Sequence, residues 1–305
     1  MLSRVTIQNF KSIGEPGVDL ELAPLTFLVG PNGGGKSSIM EALFLASRRG
    51  LPPEGQESTV ARQFRGEEES IRVSVYVEHP EGEQPGRYDL SIFKSMPTEH
   101  FSPHTDPNAD DADIDTTGAR VISECLINHV FPLSATRQVP DTSRMNNREI
   151  VGEHGEYSLE ILDKSGHAKF ENKRAKINKW ATAFNMQSIS ASLRERDVIE
   201  GSYRDKLLDT PLGIELASSG SRQVLPIVMQ LFWLDSGSTI TIEEPEISLH
   251  PELQIRMIEM FAEAIKESKQ IIAATHSLFM LQGIGYAIIK GWISSDQVAV
   301  YHVEK

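Results

Sequence analysis

The residues best suited to chemistry form a glycine-rich run that ends in a lysine and two serines, Gly30–Ser38. The run has the spacing G-x-x-x-x-G-K-[ST], in which backbone N–H groups converge on phosphate oxygens. The Lys36 ammonium would neutralise the β- and γ-phosphates, and the Ser37 hydroxyl would bind Mg²⁺. The pattern predicts a nucleoside triphosphate site with these phosphate-binding residues: Asn32, Gly33, Gly34, Gly35, Lys36, Ser37 and Ser38.

Two adjacent carboxylates, Glu243 and Glu244, follow the β-branched segment Thr239–Ile242. A buried strand that ends in two acids needs a cation or solvent to meet them. Since side chains alternate along a strand, the two acids would point in different directions. We expect Glu243 to hold Mg²⁺ through water and Glu244 to polarise the water that attacks the γ-phosphate.

A histidine, His276, follows the apolar segment Ile271–Thr275. A side chain at the carboxyl end of a parallel strand lies on the ligand edge of an open α/β sheet. In a chain that also has the phosphate loop and the two acids, His276 is a candidate sensor of the γ-phosphate.

The elements around these residues predict an α/β core. Leu25–Val29 has the composition of a buried strand that runs into the glycine loop, and apolar residues recur at helical spacing after Lys36. A further helix should begin at Pro251 and continue to about Lys266, because proline favours the first turn of a helix.

Alternating segments predict an antiparallel part in the same chain. Residues 2–10 and Val18–Leu22 should form a hairpin before the loop strand. Ile71–Val77 should pair with Tyr88–Phe93, within an inserted β lobe at about 58–135.

Two polar segments accompany this lobe. Residues 98–118 are acidic and are interpreted as a loop, and a metal site at His100 and His104 is discounted because such ligands need a rigid support. A helical, variable insertion should occupy about 139–212, and it contains the basic segment Lys164–Lys179. That segment is either a solvated helix face or a contact for the phosphate backbone of DNA.

Composition limits the class of protein. The chain has 305 residues and a net charge of −13, so nucleic-acid binding would require a local basic patch. No apolar run is long enough to span a membrane, and the first residues do not resemble a signal peptide. The single cysteine, Cys125, excludes an internal disulfide, and we expect a cytoplasmic protein.

The order of motifs resembles the ABC-type ATPases of the SMC/RecF/OLD class. These motifs are the glycine loop, Ser218–Gln223, the segment Glu243–Pro251 with the sequence EEPEISLHP, and Thr275–Ser277. The opening Ile7–Ser12 is also typical of that class. Within it, the chain is similar to prokaryotic "AAA family ATPase" domains, which implies an ABC-ATPase head made from one domain, 1–305.

The resemblance implies further site residues. Ser218 and Gly220 would contact the γ-phosphate bound by a second subunit, so ATP would lie between two heads in a head-to-tail homodimer or higher oligomer. Gln138 is the candidate glutamine that meets Mg²⁺ and the attacking water, with Gln63 as the alternative. Ser248–His250 occupies the loop that crosses the subunit interface in that class.

This chain also departs from its apparent relatives. Glu243 stands where many have aspartate, and Ser219 and Ser221 stand where transporters have glycine and glutamine. The segment between Gln138 and Ser218 has no sustained heptads, which excludes the long arm of SMC proteins. We expect no Toprim-type nuclease activity, because no strand-borne acidic set follows the ATPase motifs.

Three hypotheses about function remain. The first is an ATP-hydrolysing switch in DNA maintenance or anti-phage defence that works with a separate effector. The second is an ATP-locked scaffold or DNA-binding module with negligible turnover. The third, a transporter ATPase, is disfavoured by the EEPEISLHP segment.

Overall fold

The chain folds into two compact units. The computed structural model describes residues 1–47, 70–77, 86–93, 100–102, 129–205 and 210–304. The first unit comprises Met1–Val130, Gly237–Thr239 and Asp296–Lys305, and the second comprises Phe131–Ser236 and Ile240–Ser295.

Strands follow one another through much of the chain, and helices and strands alternate one by one only after Ser219. The α-helices are α1 Lys36–Ser47, α2 Ser158–Ser165, α3 Glu171–Ala183, α4 Ser219–Trp233, α5 Pro251–Lys266 and α6 Leu278–Ile289. The first seven strands are β1 Leu2–Gln8, β2 Val18–Glu21, β3 Leu25–Val29, β4 Ser70–Val77, β5 Gly86–Phe93, β6 His100–Ser102 and β7 Val130–Leu133. The remaining strands are β8 Thr142–Arg144, β9 Gln187–Leu193, β10 Val198–Arg204, β11 Pro211–Gly213, β12 Thr239–Glu243, β13 Gln270–Thr275 and β14 Val298–His302.

One antiparallel sheet in the first unit has the strand order β2-β1-β4-β5-β6. The two predicted hairpins are present, and β4 joins them by pairing with β1, where Val5 lies opposite Val75. Ile71, Val73 and Val75 are fully buried, as the alternation along this segment predicts. The inserted strands therefore extend the N-terminal hairpin.

The expectation of a loop throughout 98–118 was wrong at its start. His100–Ser102 forms β6, whose main chain pairs with β5, and strand pairing does not depend on an apolar side-chain pattern. The other residues of 98–118, including His104, lie outside the described residues. Gln63 and Cys125 also lie outside them.

The strand that leads into the glycine loop is buried and pairs with the last strand. β3 lies parallel to β14, with Leu25 opposite Val298 and Val29 opposite His302. The ladder continues one step, because the Val303 N–H donates to the Val29 carbonyl at 2.7 Å. This pairing places Val303 beside the loop.

In the second unit β13, β12 and β7 lie side by side in that order. Every residue of β13 is buried, and β12 is buried up to its last residue, Glu243. Helix α5 has the predicted bounds, and its apolar stripe includes buried Met257 and Phe261.

The predicted insertion at 139–212 contains more than helices. It has α2 and α3, and it also has the antiparallel strands β8, β9, β10 and β11, with β10 paired to the other three. These strands escaped prediction because the run is rich in serine, as in Gln187–Leu193, and carries a weak apolar alternation.

Helix α3 packs on α4 through the stripe that the sequence predicts. Ile177, Trp180, Ala181 and Phe184 are buried, and the Trp180 ring stacks on Phe232 with 6.3 Å between centroids. Among the helices that the structure describes, none has both the length and the hydropathy needed to cross a membrane.

Candidate active site

The glycine loop lies in the first unit between β3 and α1. Lys36 is only 6% exposed, and its ammonium donates to the carbonyls of Gly30 and Pro31, each at 2.9 Å. The charge is thus held inside the loop, where backbone oxygens orient it. Ser37 is exposed at the start of α1, so its hydroxyl is accessible to a metal ion.

Close packing explains why the loop needs glycine. A Cβ on Gly34 would lie 2.6 Å from the Val303 carbonyl oxygen, and a Cβ on Gly30 would collide with the same atom. The segment after β14 therefore sets how tightly the loop can turn. Neither position accepts a larger residue without moving the loop.

The opening motif of the chain supports the same loop. Ser12 Oγ lies 2.9 Å from Ser38 Oγ, and the Lys11 ammonium pairs with Glu41 on α1. The Ile13 N–H donates to the Phe10 carbonyl and closes the turn. These contacts account for the motif at Ile7–Ser12, to which sequence inspection assigned no role.

The two acids of the second unit lie at the end of β12 in different surroundings. Glu243 ends the strand, whereas Glu244 has a φ of +42°, a conformation that non-glycine residues rarely adopt. The Glu244 N–H donates to the Ala274 carbonyl at 2.8 Å, which holds this turn against β13. Glu244 Oε1 comes within 3.6 Å of His276 Nε2.

The structure therefore places Glu244 and His276 side by side at the ends of β12 and β13. Their side chains are 39% and 32% exposed, so water and a nucleotide can reach both. A carboxylate in this position can accept a proton from an attacking water.

A third acid of the same motif fixes the histidine turn. Glu246 Oε1 accepts from the Thr275 hydroxyl at 2.6 Å and from the His276 N–H at 2.9 Å. The Ser277 hydroxyl donates to Gln254 Oε1 at 2.5 Å and caps α6 by accepting from Phe279 and Met280. The EEPEISLHP segment thus positions His276, a role that sequence inspection did not assign to Glu246.

A buried arginine joins the parts of this network. Arg137 is 0% exposed, and its guanidinium donates to the carbonyls of Glu243 at 2.6 Å and Glu244 at 3.1 Å. It also donates to Gln223 on α4 at 3.2 Å and to Ser134 at 2.9 Å.

Burial lowers the pKa of the Arg137 guanidinium to about 10, while the negative charges of Glu246, Glu243 and Glu244 act against that shift. Arg137 thus remains charged at neutral pH. Nothing in its sequence surroundings marks it, since three of these four partners, in Gln223, Glu243 and Glu244, are backbone carbonyls far along the chain.

The serine-rich segment at the start of α4 lies against the loop that follows Glu246. A Cβ on Gly220 would be 2.5 Å from the Ser248 carbonyl oxygen. The Ser218 hydroxyl accepts from the Ser221 N–H, which leaves the N–H groups of Ser219 and Gly220 without an acceptor among the residues that the structure describes. These donors can meet a phosphate at the positive end of the helix dipole.

Gln138 lies against α4. Its side-chain oxygen, in the orientation that satisfies its neighbours, accepts from Arg222 Nη2 at 2.9 Å. Arg222 also donates to the Val139 carbonyl and to Asp141. The role of Gln138 toward Mg²⁺ stays a prediction.

Each unit by itself offers an oxygen of a kind that Mg²⁺ accepts. Ser37 of the first unit has an exposed hydroxyl, and Glu243 of the second unit ends β12 with a carboxylate. Within the described part of the chain, no group of three acidic, histidine or cysteine side chains forms a metal cage. Mg²⁺ commonly takes one or two protein oxygens together with nucleotide phosphates.

Four of the six basic residues in the segment Lys164–Lys179 form ion pairs within the described part of the chain. Lys164, Lys173, Lys176 and Lys179 form ion pairs with Glu149, Asp235, Glu267 and Glu263. The segment does not form one helix, because Lys164 lies on α2 and the other three lysines lie on α3.

Comparison with known proteins decides the family. A family model described as "AAA domain, putative AbiEii toxin, Type IV TA system" matches residues 25–281, which include the glycine loop, both acids and His276. The chain belongs to this AAA-domain family. As the motifs predict, it is an ATPase of the ABC type in the SMC/RecF/OLD class.

Individual relatives of this AAA-domain protein agree with the class. It is 23% identical over 316 residues to an OLD nuclease from Thermus scotoductus, covering 91% of this chain and 59% of that nuclease. It is 50% identical over 44 residues to the DNA replication and repair protein RecF of Vibrio campbellii, covering 14% of this chain and 12% of RecF. The chain thus spans well under two thirds of either relative.

A solved structure confirms the fold. The Smc head domain of Pyrococcus furiosus, crystallised with the C-terminal domain of ScpA, matches with a TM-score of 0.62 and 14% identity. The match covers 92% of this chain and 91% of that head. The predicted α/β head with added antiparallel strands is therefore confirmed.

Proposed function

We propose that this ATPase is a dimerising switch: two copies close head-to-tail on Mg-ATP, and hydrolysis at Glu244 separates them. The packing of Gly220 against Ser248 is the observation that carries this proposal. It joins the phosphate-binding start of α4 and the loop after Glu246 into one surface, so a partner's nucleotide would meet both.

The division of labour follows from the chemistry of each residue. The glycine loop with Lys36 would bind the phosphates, and Ser37 and Glu243 would hold Mg²⁺. Glu244 would accept the proton of the attacking water, and His276 would bind the γ-phosphate, with Gln138 as a further contact to metal and water. ATP bound by one copy would be completed by Ser218 and Gly220 of the second copy.

The setting we propose is DNA maintenance or anti-phage defence, in the cytoplasm and with a separate effector protein. The names of the similar proteins support this setting: one is an OLD nuclease, one is a DNA replication and repair protein, and one is an Smc head bound to ScpA.

Glu244→Gln tests hydrolysis as the step that resets the switch. The amide keeps the size of the side chain but cannot accept the proton, so kcat should fall by about 10²–10⁴-fold. Affinity for ATP, measured by equilibrium dialysis, should remain within a factor of about two, because the phosphates bind elsewhere.

The rival proposal is an ATP-locked scaffold with negligible turnover. It predicts that wild type and Glu244→Gln hydrolyse ATP equally slowly in a single-turnover assay. Equal rates would therefore refute the switch, and a large difference would refute the scaffold.

A further inference from the structure

An open cavity of about 700 Å³ in the second unit contains none of the residues assigned to ATP. It lies between α3 on one side and the paired strands β9 and β10 on the other, with Pro211 of β11 at its edge. Its volume is within the range of about 300–1,000 Å³ that small-molecule sites occupy.

The helix and the strands turn polar side chains toward each other here. On α3, Arg174, Asn178 and Thr182 recur at every fourth position, so they line one face along about 12 Å. Apolar residues would normally fill such a helix–sheet junction, and the buried stripe of α3 faces elsewhere. A polar junction with an open volume indicates a surface built for a polar ligand.

The strands add a matching set. Ser188 and Ser190 alternate on β9, and Ser202 and Arg204 alternate on β10, so each pair shares a face. Ser190 Oγ lies 3.0 Å from Ser202 Oγ, which orients both hydroxyls at the cavity wall.

The charge of the lining is positive in a chain whose net charge is −13. Arg174, Lys179 and Arg204 line the cavity, and no carboxylate does so among the residues with described positions. Lys179 pairs with Glu263, which lies outside the lining. Arg174 has no ion-pair partner within the described ranges, so its charge is available to an anion.

The side-chain oxygen of Asn178, in the lining, favours a ligand that also carries a hydrogen-bond donor. Asn178 Oδ1 is buried and has no hydrogen-bond donor within the described part of the chain. A buried acceptor without a donor is unfavourable, so a ligand whose O–H or N–H meets the Asn178 amide, once the side chain turns toward the cavity, would be favoured.

We propose that this cavity binds a phosphorylated small molecule of nucleotide size. The phosphate lies at Arg174 and the neighbouring hydroxyls, and a sugar hydroxyl or base amine donates to Asn178. Pro211, which is exposed at the edge of the cavity, supplies a small apolar surface on which the uncharged part of the ligand rests.

Isothermal titration of the full chain, with its glycine loop saturated by Mg-ADP, tests this. The probes are AMP, ribose 5-phosphate and inorganic phosphate. AMP should bind saturably, and Arg174→Gln should weaken AMP about tenfold or more, since a charge-assisted contact is lost. Lys169→Gln, which removes an exposed charge outside the cavity, is the matched control and should change affinity less than about twofold.

Asn178→Leu separates the two parts of the site. It should weaken AMP about tenfold while changing the weaker binding of inorganic phosphate little, because the phosphate is held at Arg174 and the neighbouring hydroxyls and only the rest of AMP reaches Asn178. Circular dichroism of each variant confirms that it is folded before titration.

Three outcomes would overturn the proposal. The first is no saturable binding of AMP or ribose 5-phosphate at millimolar concentration. The second is equal loss with Lys169→Gln and Arg174→Gln. The third is binding of a short DNA duplex, lost in Arg174→Gln, without binding of the small probes, which would make the cavity a nucleic-acid contact. None of these outcomes depends on ATP hydrolysis, so the proposed switch is tested separately.

Discussion

Replacing Arg137 with methionine should disrupt the second unit and slow hydrolysis together. Methionine has a similar length and would fill much of the space, but it donates no hydrogen bonds. The carbonyls of Ser134, Gln223, Glu243 and Glu244 would each lose a charged donor. Glu246 Oε2, which is buried without a hydrogen-bond donor among the described residues, would lose its nearby cation.

The size of the effect follows from burial. Breaking a fully buried charged contact by removing one partner costs about 3–5 kcal/mol. Such a loss is a large share of the roughly 5–15 kcal/mol that stabilises a typical protein. The melting temperature should fall by roughly 10 °C. Arg137→Lys keeps the charge but has no planar fork, so it should lose less stability than methionine.

Thermal and urea unfolding followed by tryptophan fluorescence measure the first effect, and steady-state kinetics measure the second. Because Arg137 holds the backbone of Glu244, kcat should fall while KM for ATP changes little. Arg144→Met, at an exposed arginine of the same unit, is the control and should change stability by less than about 0.5 kcal/mol. If Arg137→Met stays within about 1 kcal/mol of wild type with normal kcat, the positioning role of Arg137 is refuted.

Two further predictions concern the glycines and the metal. Gly220→Ala should reduce ATP-dependent pairing measured by sedimentation, because its Cβ would meet the Ser248 carbonyl at 2.5 Å; normal pairing would contradict the surface described. Gly285→Ala is its matched control, since nothing lies within 4 Å of its Cβ, and it should raise stability in urea by about 0.5–1 kcal/mol. Removal of Mg²⁺ with EDTA should abolish phosphate release, and restored rates on adding back Mg²⁺ but not Ca²⁺ should follow from the small oxygen set; full activity in EDTA would exclude Glu243 and Ser37 as metal ligands.

The elements with strong local signals could be predicted from the sequence. β3 ends where Val29 meets the glycine loop, and α5 begins at Pro251, because apolar runs, glycine and proline act over a few residues. Glu244 and His276 each directly follow a buried strand, as the apolar segments before them predict.

Features that rest on distant contacts could not be predicted. Arg137 binds backbone carbonyls more than eighty residues away, and backbone atoms carry no side-chain pattern. Strands β8, β9 and β11 each depend on pairing with β10, and they have few apolar residues of their own. The role of Glu246 could not be predicted either, because it depends on hydrogen bonds to Thr275 and His276, about thirty residues away.

The most direct test of the switch is light scattering on wild type and Glu244→Gln, each with and without Mg-ATP. If ATP joins two copies, Glu244→Gln should double its mass only when Mg-ATP is present, because the pair forms but cannot hydrolyse the ATP that holds it together. A monomer under every condition, or an oligomer whose mass ignores ATP, would contradict the proposal that ATP joins two copies.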